Sequence, residues 1–167
     1  MILISPLSKT ADLLTEAGVT HAMSLLSPGS DFPDLALDAA RHLRLEFHDI
    51  PEEREGYQAP TLAQMESILR FVGDWDRKGA MLIHCWAGVS RSTASAYSAM
   101  CLLHPKRDEF ELATELRAAS PEATPNPRLI AHADEILGRK GRMVEAIADL
   151  GRGADCMEGS VVRWKLR

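Results

Sequence analysis

Aromatic side chains are scarce, 5% of 167 residues, so a core in this chain must be built from aliphatic and small residues. Cysteine is scarcer still. Cys85, Cys101 and Cys156 are too few and too scattered for a disulfide framework, and they form neither a CxxC pair nor a Cys/His cluster at zinc spacing. No apolar run approaches the roughly 20 residues that a membrane span needs. The opening MILISPLSKTADLL has no basic segment ahead of a long apolar stretch, so no secretory signal is expected and the thiols are expected to be reduced, in the cytoplasm. Positive charge is not in excess: 19 Lys and Arg face 24 Asp and Glu, a net charge of −5, which argues against a general binder of nucleic acid or of an anionic membrane. Disorder is disfavoured by 46% hydrophobic against 26% charged residues. Repeats, low-complexity tracts and Gly/Ser linkers are absent, so residues 1–167 read as one domain.

What is present is an alternation of elements. Ile2 to Ile4 reads as a short strand, Lys9 to Ala17 as a helix ending at Gly18, and Thr20 to Leu26 as a strand stopped by Ser27-Pro28-Gly29-Ser30. His42 to Phe47 alternates Leu43, Leu45 and Phe47 with polar residues, which is strand periodicity. A carboxylate-rich loop, His48 to Ala59, precedes a helix that Pro60 opens and that runs to about Asp76, with Leu62, Met65, Ile68, Leu69 and Val72 on one face. Ala80 to Ile83 is a buried-strand run, and Ser92 to Leu103 is helical and small-residued. Further helices are expected near Asp108 to Ala118, Pro127 to Leu137 and Arg142 to Leu150, joined by loops at Ser120 to Asn126 and Gly138 to Gly141. The pattern predicts an α/β fold with a central mixed sheet flanked by helices, and a helical C-terminal third.

The chemistry concentrates in HCWAGVSRS, residues 84–92, where a strand gives way to a helix. Small residues feeding a helix N-terminus turn successive backbone N–H groups into one concavity, and the helix dipole adds positive potential. That is an anion site. Gly88, with Ala87 and Ser90, allows a tight curl, while Trp86 and Val89 complete the loop. The planar fork of Arg91 can hold two phosphoryl oxygens at once. Cys85 opens the loop, and the field that binds an anion also favours a thiolate over a thiol. Ser92 can donate a hydrogen bond to that sulfur. His84 precedes Cys85, points away from it, and is better placed to orient the loop than to act as a base. Taken singly, a Cys is usually a small buried apolar residue and an Arg a surface charge; together at this spacing they point to nucleophilic chemistry at phosphorus.

The pattern H-C-x-x-G-x-x-R-S resembles the signature of the cysteine-dependent protein tyrosine and dual-specificity phosphatases. Its A-G-x-S-R-S ending is most similar to the dual-specificity branch and its short bacterial relatives. Composition alone would produce such a constellation in about 10⁻⁵ of chains this size. The resemblance covers residues 40 to 130. It implies a general acid, an Asp on a loop some thirty-odd residues before the nucleophile. Asp49 lies 36 residues upstream of Cys85, with Glu52, Glu53 and Glu55 as rivals in the same loop. Asp74 and Asp76 in GDWD resemble the acid loop of the classical tyrosine phosphatases, but they sit only 11 and 9 residues before Cys85, at a helix end leading into the nucleophile strand. The stretch SPEATPNPRL is similar to a Pro-Asn element of the dual-specificity relatives, which implies a supporting role for Asn126.

Arg128 is expected to be an ordinary surface residue that could also meet an anionic substrate, and His48 an exposed loop histidine. His21, His42, His104 and His132 show no ligand spacing, and Cys101 suits core packing. From Gly138 onward the sequence carries no mechanistic signal; a helical cap with a tail folded back is expected. The leading expectation is a phosphomonoester hydrolase acting on a phosphorylated protein or small phosphoester through a cysteinyl phosphate, with no cofactor or metal. The alternative is a catalytically weak phosphate-binding module of the same fold. Sulfurtransferase and arsenate reductase chemistry also use a Cys-led anion loop; the span to Arg91 and Ser92, and the lack of a resolving cysteine, disfavour them.

Overall fold

A computed structural model describes residues 1–16 and 18–166. In chain order the elements are β1 (Ile2–Pro6), α1 (Thr10–Glu16), β2 (Val19–Leu26), β3 (His42–Glu46), α2 (Leu62–Asp74), β4 (Ala80–Cys85), α3 (Arg91–Leu103), α4 (Glu109–Ala119), α5 (Pro127–Leu137), α6 (Arg142–Leu150) and β5 (Val162–Trp164). Ala17, the expected last residue of the first helix, lies outside the described residues. The strands form one mixed sheet in the order β3-β2-β4-β1-β5. Its first four strands are parallel, and β5 runs antiparallel to β1.

The sheet is covered on both faces, which is why β1 and β4 are buried along their whole length and read as continuous apolar runs. Side chains alternate between the faces. Ile2, Ile4, Met81 and Ile83 join the larger core with residues of α2 to α6, whereas Leu3, Ala80 and Leu82 meet Leu13 of α1 and Leu35 on the other side. α3 runs through the larger core against α2, α4, α5 and β4, buried from Arg91 to Cys101. Its small residues make that placement possible. Two of the buried hydroxyls are satisfied within the helix, Ser95 Oγ donating to the Arg91 carbonyl at 2.9 Å and Ser98 Oγ to that of Ala94 at 2.8 Å.

Two differences from the sequence reading have local causes. α2 begins at Leu62, not Pro60, because Thr61 caps it: Thr61 Oγ1 accepts from Gln64 N (3.2 Å) while Gln64 Oε1 accepts from Thr61 N (3.0 Å). The C-terminal third is not wholly helical. After α6 the chain does fold back, but it ends in β5, whose three residues alternate buried, exposed, buried. So short a strand has too few repeats to register as a pattern; its partner β1 supplies the hydrogen bonds. A buried ion cluster ties the helical layer together. Glu109 on α4 accepts from Arg139 (2.7 Å) and Arg142 (3.0 Å), and Arg139 also donates to the Cys101 carbonyl at 2.6 Å. Burial opposes ionisation of Glu109, yet the hydrogen bonds from Arg142 and Arg139 outweigh it and hold the carboxyl below its usual value.

Candidate active site

β2, β3 and β4 point their carboxyl ends the same way, and in open α/β sheets that edge is where ligands bind. β4 ends at Cys85 and α3 starts at Arg91, leaving residues 86–90 to turn between them. Gly88 is required at the centre of the turn. Its φ is +73°, and a Cβ there would lie 2.5 Å from the backbone nitrogen of Pro6.

Four carbonyls of this loop are held by donors outside it. Trp86 O accepts from Leu7 N (3.0 Å), Ala87 O from Gly159 N (2.8 Å), Val89 O from Thr124 N (3.0 Å), and Ser90 O from Asn126 N (3.3 Å) and Ala94 N (2.9 Å). In a planar trans peptide the N–H points opposite to the C=O. The amides of Ala87, Gly88, Ser90 and Arg91 are thereby turned to the inner side, and among the described residues none of the amides of residues 87–90 donates to a protein acceptor. A row of convergent N–H groups at the start of a buried helix is an anion cradle.

Cys85, 2% exposed, lies at the root of this loop with its Sγ 3.2 Å from Ser92 Oγ. Arg91 is 4% exposed. One arm is anchored, Nη1 donating to the Phe47 carbonyl at 2.8 Å and to Ser27 Oγ at 3.2 Å. Its Nε is buried and has no protein acceptor among the described residues. A guanidinium so held presents its remaining donors as a fixed fork.

Asp49 is exposed, three residues past β3, and reaches the loop: its Oδ1 accepts from Ser90 Oγ at 2.7 Å and from Asn126 Nδ2 at 2.8 Å. Asn126 also donates to the Ile50 carbonyl (3.3 Å), and its Oδ1 caps α5 by accepting from Arg128 N and Leu129 N. The other loop carboxylates are placed differently. Glu53 pairs with Arg128 at 2.9 Å, and Arg128 also donates to the Pro60 carbonyl at 2.8 Å, so that arginine clamps the 48–61 loop to α5. Glu52 and Glu55 are exposed. Asp74 and Asp76 precede β4, at the end opposite Cys85 of a strand that spans about 16 Å, and Asp76 meets Lys78 there. His48 Nδ1 accepts from Gln58 N at 2.9 Å, closing the base of the same loop.

His84 belongs to a buried polar chain that the sequence reading missed. Ser24 Oγ lies 2.6 Å from His84 Nε2 and 2.7 Å from His42 Nε2. His84 Nδ1 approaches the Cys85 carbonyl at 3.5 Å. One arrangement satisfies all three contacts: His42 Nε2–H donates to Ser24 Oγ, the Ser24 hydroxyl donates to His84 Nε2, and His84 Nδ1–H faces the carbonyl of Cys85. Burial pushes both imidazoles down to about 4, so both are neutral. The signal was present as two polar residues inside apolar strand runs, Ser24 and His84, which the β2–β4 register sets side by side. The anchoring roles of Ser27 and of the Phe47 carbonyl left no such trace. Cys101 is fully buried, and burial pushes its thiol up to about 12. Trp86 is 63% exposed at the rim of the loop.

No protein-family model and no curated protein matches the sequence. Solved structures do match. Human DUSP28 is 22% identical and aligns over 83% of this chain and 89% of its own, with a TM-score of 0.63. DUSP15 is 22% identical over 89% of both chains, with a TM-score of 0.64. The human tyrosine phosphatase-like serine/threonine/tyrosine-interacting protein is 21% identical over 83% of this chain and 92% of its own, at 0.61. Identities this low speak to architecture, and in architecture the match is plain: the chain has the α/β fold of the dual-specificity phosphatases.

Proposed function

We propose that this chain is a cysteine-dependent phosphomonoester hydrolase of the protein tyrosine or dual-specificity type. The observation that carries the reading is the convergence, on one loop, of the inward amides, the Arg91 fork and the Cys85 sulfur. The amides and Arg91 hold the three non-bridging oxygens, and their positive field stabilises charge as it redistributes in the transition state. The Cys85 thiolate attacks phosphorus in line. An S–P bond forms as the ester P–O bond breaks, and the electron pair leaves on the ester oxygen. Asp49 supplies the proton to that oxygen from Oδ2, since Oδ1 is occupied by Ser90 and Asn126. Asp49, now a carboxylate, takes a proton from water. That water attacks phosphorus, the S–P bond breaks, and Cys85 regains its electron pair with a hydrogen bond from Ser92.

The substrate is a phosphorylated protein or a small phosphoester. A second reading, a phosphate-binding module with weak turnover, draws support from the likeness to a solved structure described as phosphatase-like. The discriminating experiment is hydrolysis of p-nitrophenyl phosphate in EDTA. Wild type is expected to turn over and Cys85→Ser to be inert; a wild type that binds phosphate without hydrolysing the ester would establish the binding module instead.

A further inference from the structure

Residues 151–161 connect α6 to β5 across the outside of the loop at residues 86–90. Their side chains bury little: Arg152 and residues 154–158 are exposed, Met157 at 95%. Val161 packs on the smaller core, and polar contacts hold the rest of the strap in place. Gly153 N donates to Thr124 Oγ1 at 3.1 Å and Ala154 N to the Pro121 carbonyl at 2.9 Å. Farther on, Ser8 Oγ donates to Glu158 Oε2 at 2.8 Å and Ser160 Oγ to Glu122 Oε1 at 2.9 Å. Between these last two tethers stands Gly159. Its N–H donates to the Ala87 carbonyl at 2.8 Å, and a Cβ there would come within 3.1 Å of both the Gly88 carbonyl and Val89 Cγ2.

That one hydrogen bond fixes the Ala87–Gly88 peptide plane. With the Ala87 carbonyl held outward, the Gly88 N–H faces the cradle; if the plane rotated, the cradle would lose a donor. We propose that Gly159 is a positioning residue for the proposed phosphoryl chemistry, orienting the Gly88 amide toward the bound oxyanion through the strap. The inference rests on the reading of the loop as a phosphate cradle. It gives the segment after α6, silent in sequence, a task at the site.

The test compares wild type with Gly159→Ala. The φ of Gly159 lies outside the left-handed region, so the backbone accepts alanine and the conflict is only with the loop. Inhibition by inorganic phosphate and kcat/KM for p-nitrophenyl phosphate should weaken together, about tenfold, as one charge-assisted hydrogen bond is lost. The Gly88 amide resonance, which phosphate should shift in the wild type, should respond less in the variant. Met157→Ala, on the strap but untethered, should leave all three readouts unchanged. If Gly159→Ala folds poorly, Glu158→Ala combined with Ser160→Ala removes both flanking tethers and should weaken phosphate and turnover in parallel. A lowered melting temperature with phosphate inhibition, turnover and the Gly88 response all unchanged would overturn the inference and leave the strap purely structural. A wild type that neither binds phosphate nor turns over would refute the cradle itself, a distinguishable failure.

Discussion

Replacing Ser24 by alanine removes the hydroxyl that joins two buried imidazoles. The change strands a donor on His42 Nε2 and an acceptor on His84 Nε2, groups fully or almost fully buried. Each buried unsatisfied group costs about 1–3 kcal/mol, so the loss is about 3 kcal/mol after partial relaxation. For a chain of this length that lowers the melting temperature by about 10 °C. Ser24→Thr, which keeps the hydroxyl, should recover most of it. The same chain makes a pH prediction. Both histidines have folded values near 4 against an unfolded value of 6.5, so between those limits the unfolded chain binds more protons. The stability from keeping them neutral is whole above pH 6.5 and is lost as pH falls toward 4; at pH 5 each has lost about 2 kcal/mol. The assay is thermal unfolding of wild type and variants, with imidazole nitrogen shifts followed by NMR from pH 8 to 5. A histidine at position 42 or 84 that titrates near 6.5, or a Ser24→Ala protein that melts with the wild type, would show that the buried chain is not held as described.

Arg91→Lys cannot keep the anchor on the Phe47 carbonyl and still offer a two-pronged fork, so kcat/KM for an aryl phosphate should fall about 10³-fold. Steady-state kinetics check this, and a loss under tenfold would contradict it. Asp49→Asn should lower kcat/KM, which reports the ester-cleaving step, about 100-fold for phenyl phosphate but much less for p-nitrophenyl phosphate, because only the poorer leaving group depends on a proton. Equal slowing of the two would argue against a proton-donor role. Glu109→Ala leaves the buried Arg139 unpaired and should cost about 3 kcal/mol in denaturant unfolding, with KM for small substrates unchanged.

The motif carried much of the candidate site into the sequence because its residues are close together: Cys85, Gly88, Arg91 and Ser92 lie at fixed spacing on a single strand-to-helix turn. Asp49 and Asn126, 77 residues apart, could be paired with the loop only through family resemblance, since folding alone brings them together. β1 and β4 were legible because burial on both faces makes them mostly apolar, and β3 because its apolar residues alternate with polar ones. β5 was not, since its three residues depend on β1 for their pairing. Backbone contacts escaped altogether. The Phe47 carbonyl that steadies Arg91 and the Gly159 amide that holds Ala87 use groups every residue owns, so no residue type announces them.

The most direct test of the central claim is to quench the wild type with acid during turnover of an aryl phosphate and map any covalent phosphate. One phosphoryl group is expected on Cys85, absent in Cys85→Ser and accumulating more when Asp49→Asn slows its hydrolysis. Turnover without a phosphorylated Cys85, or label on another residue, would contradict that claim.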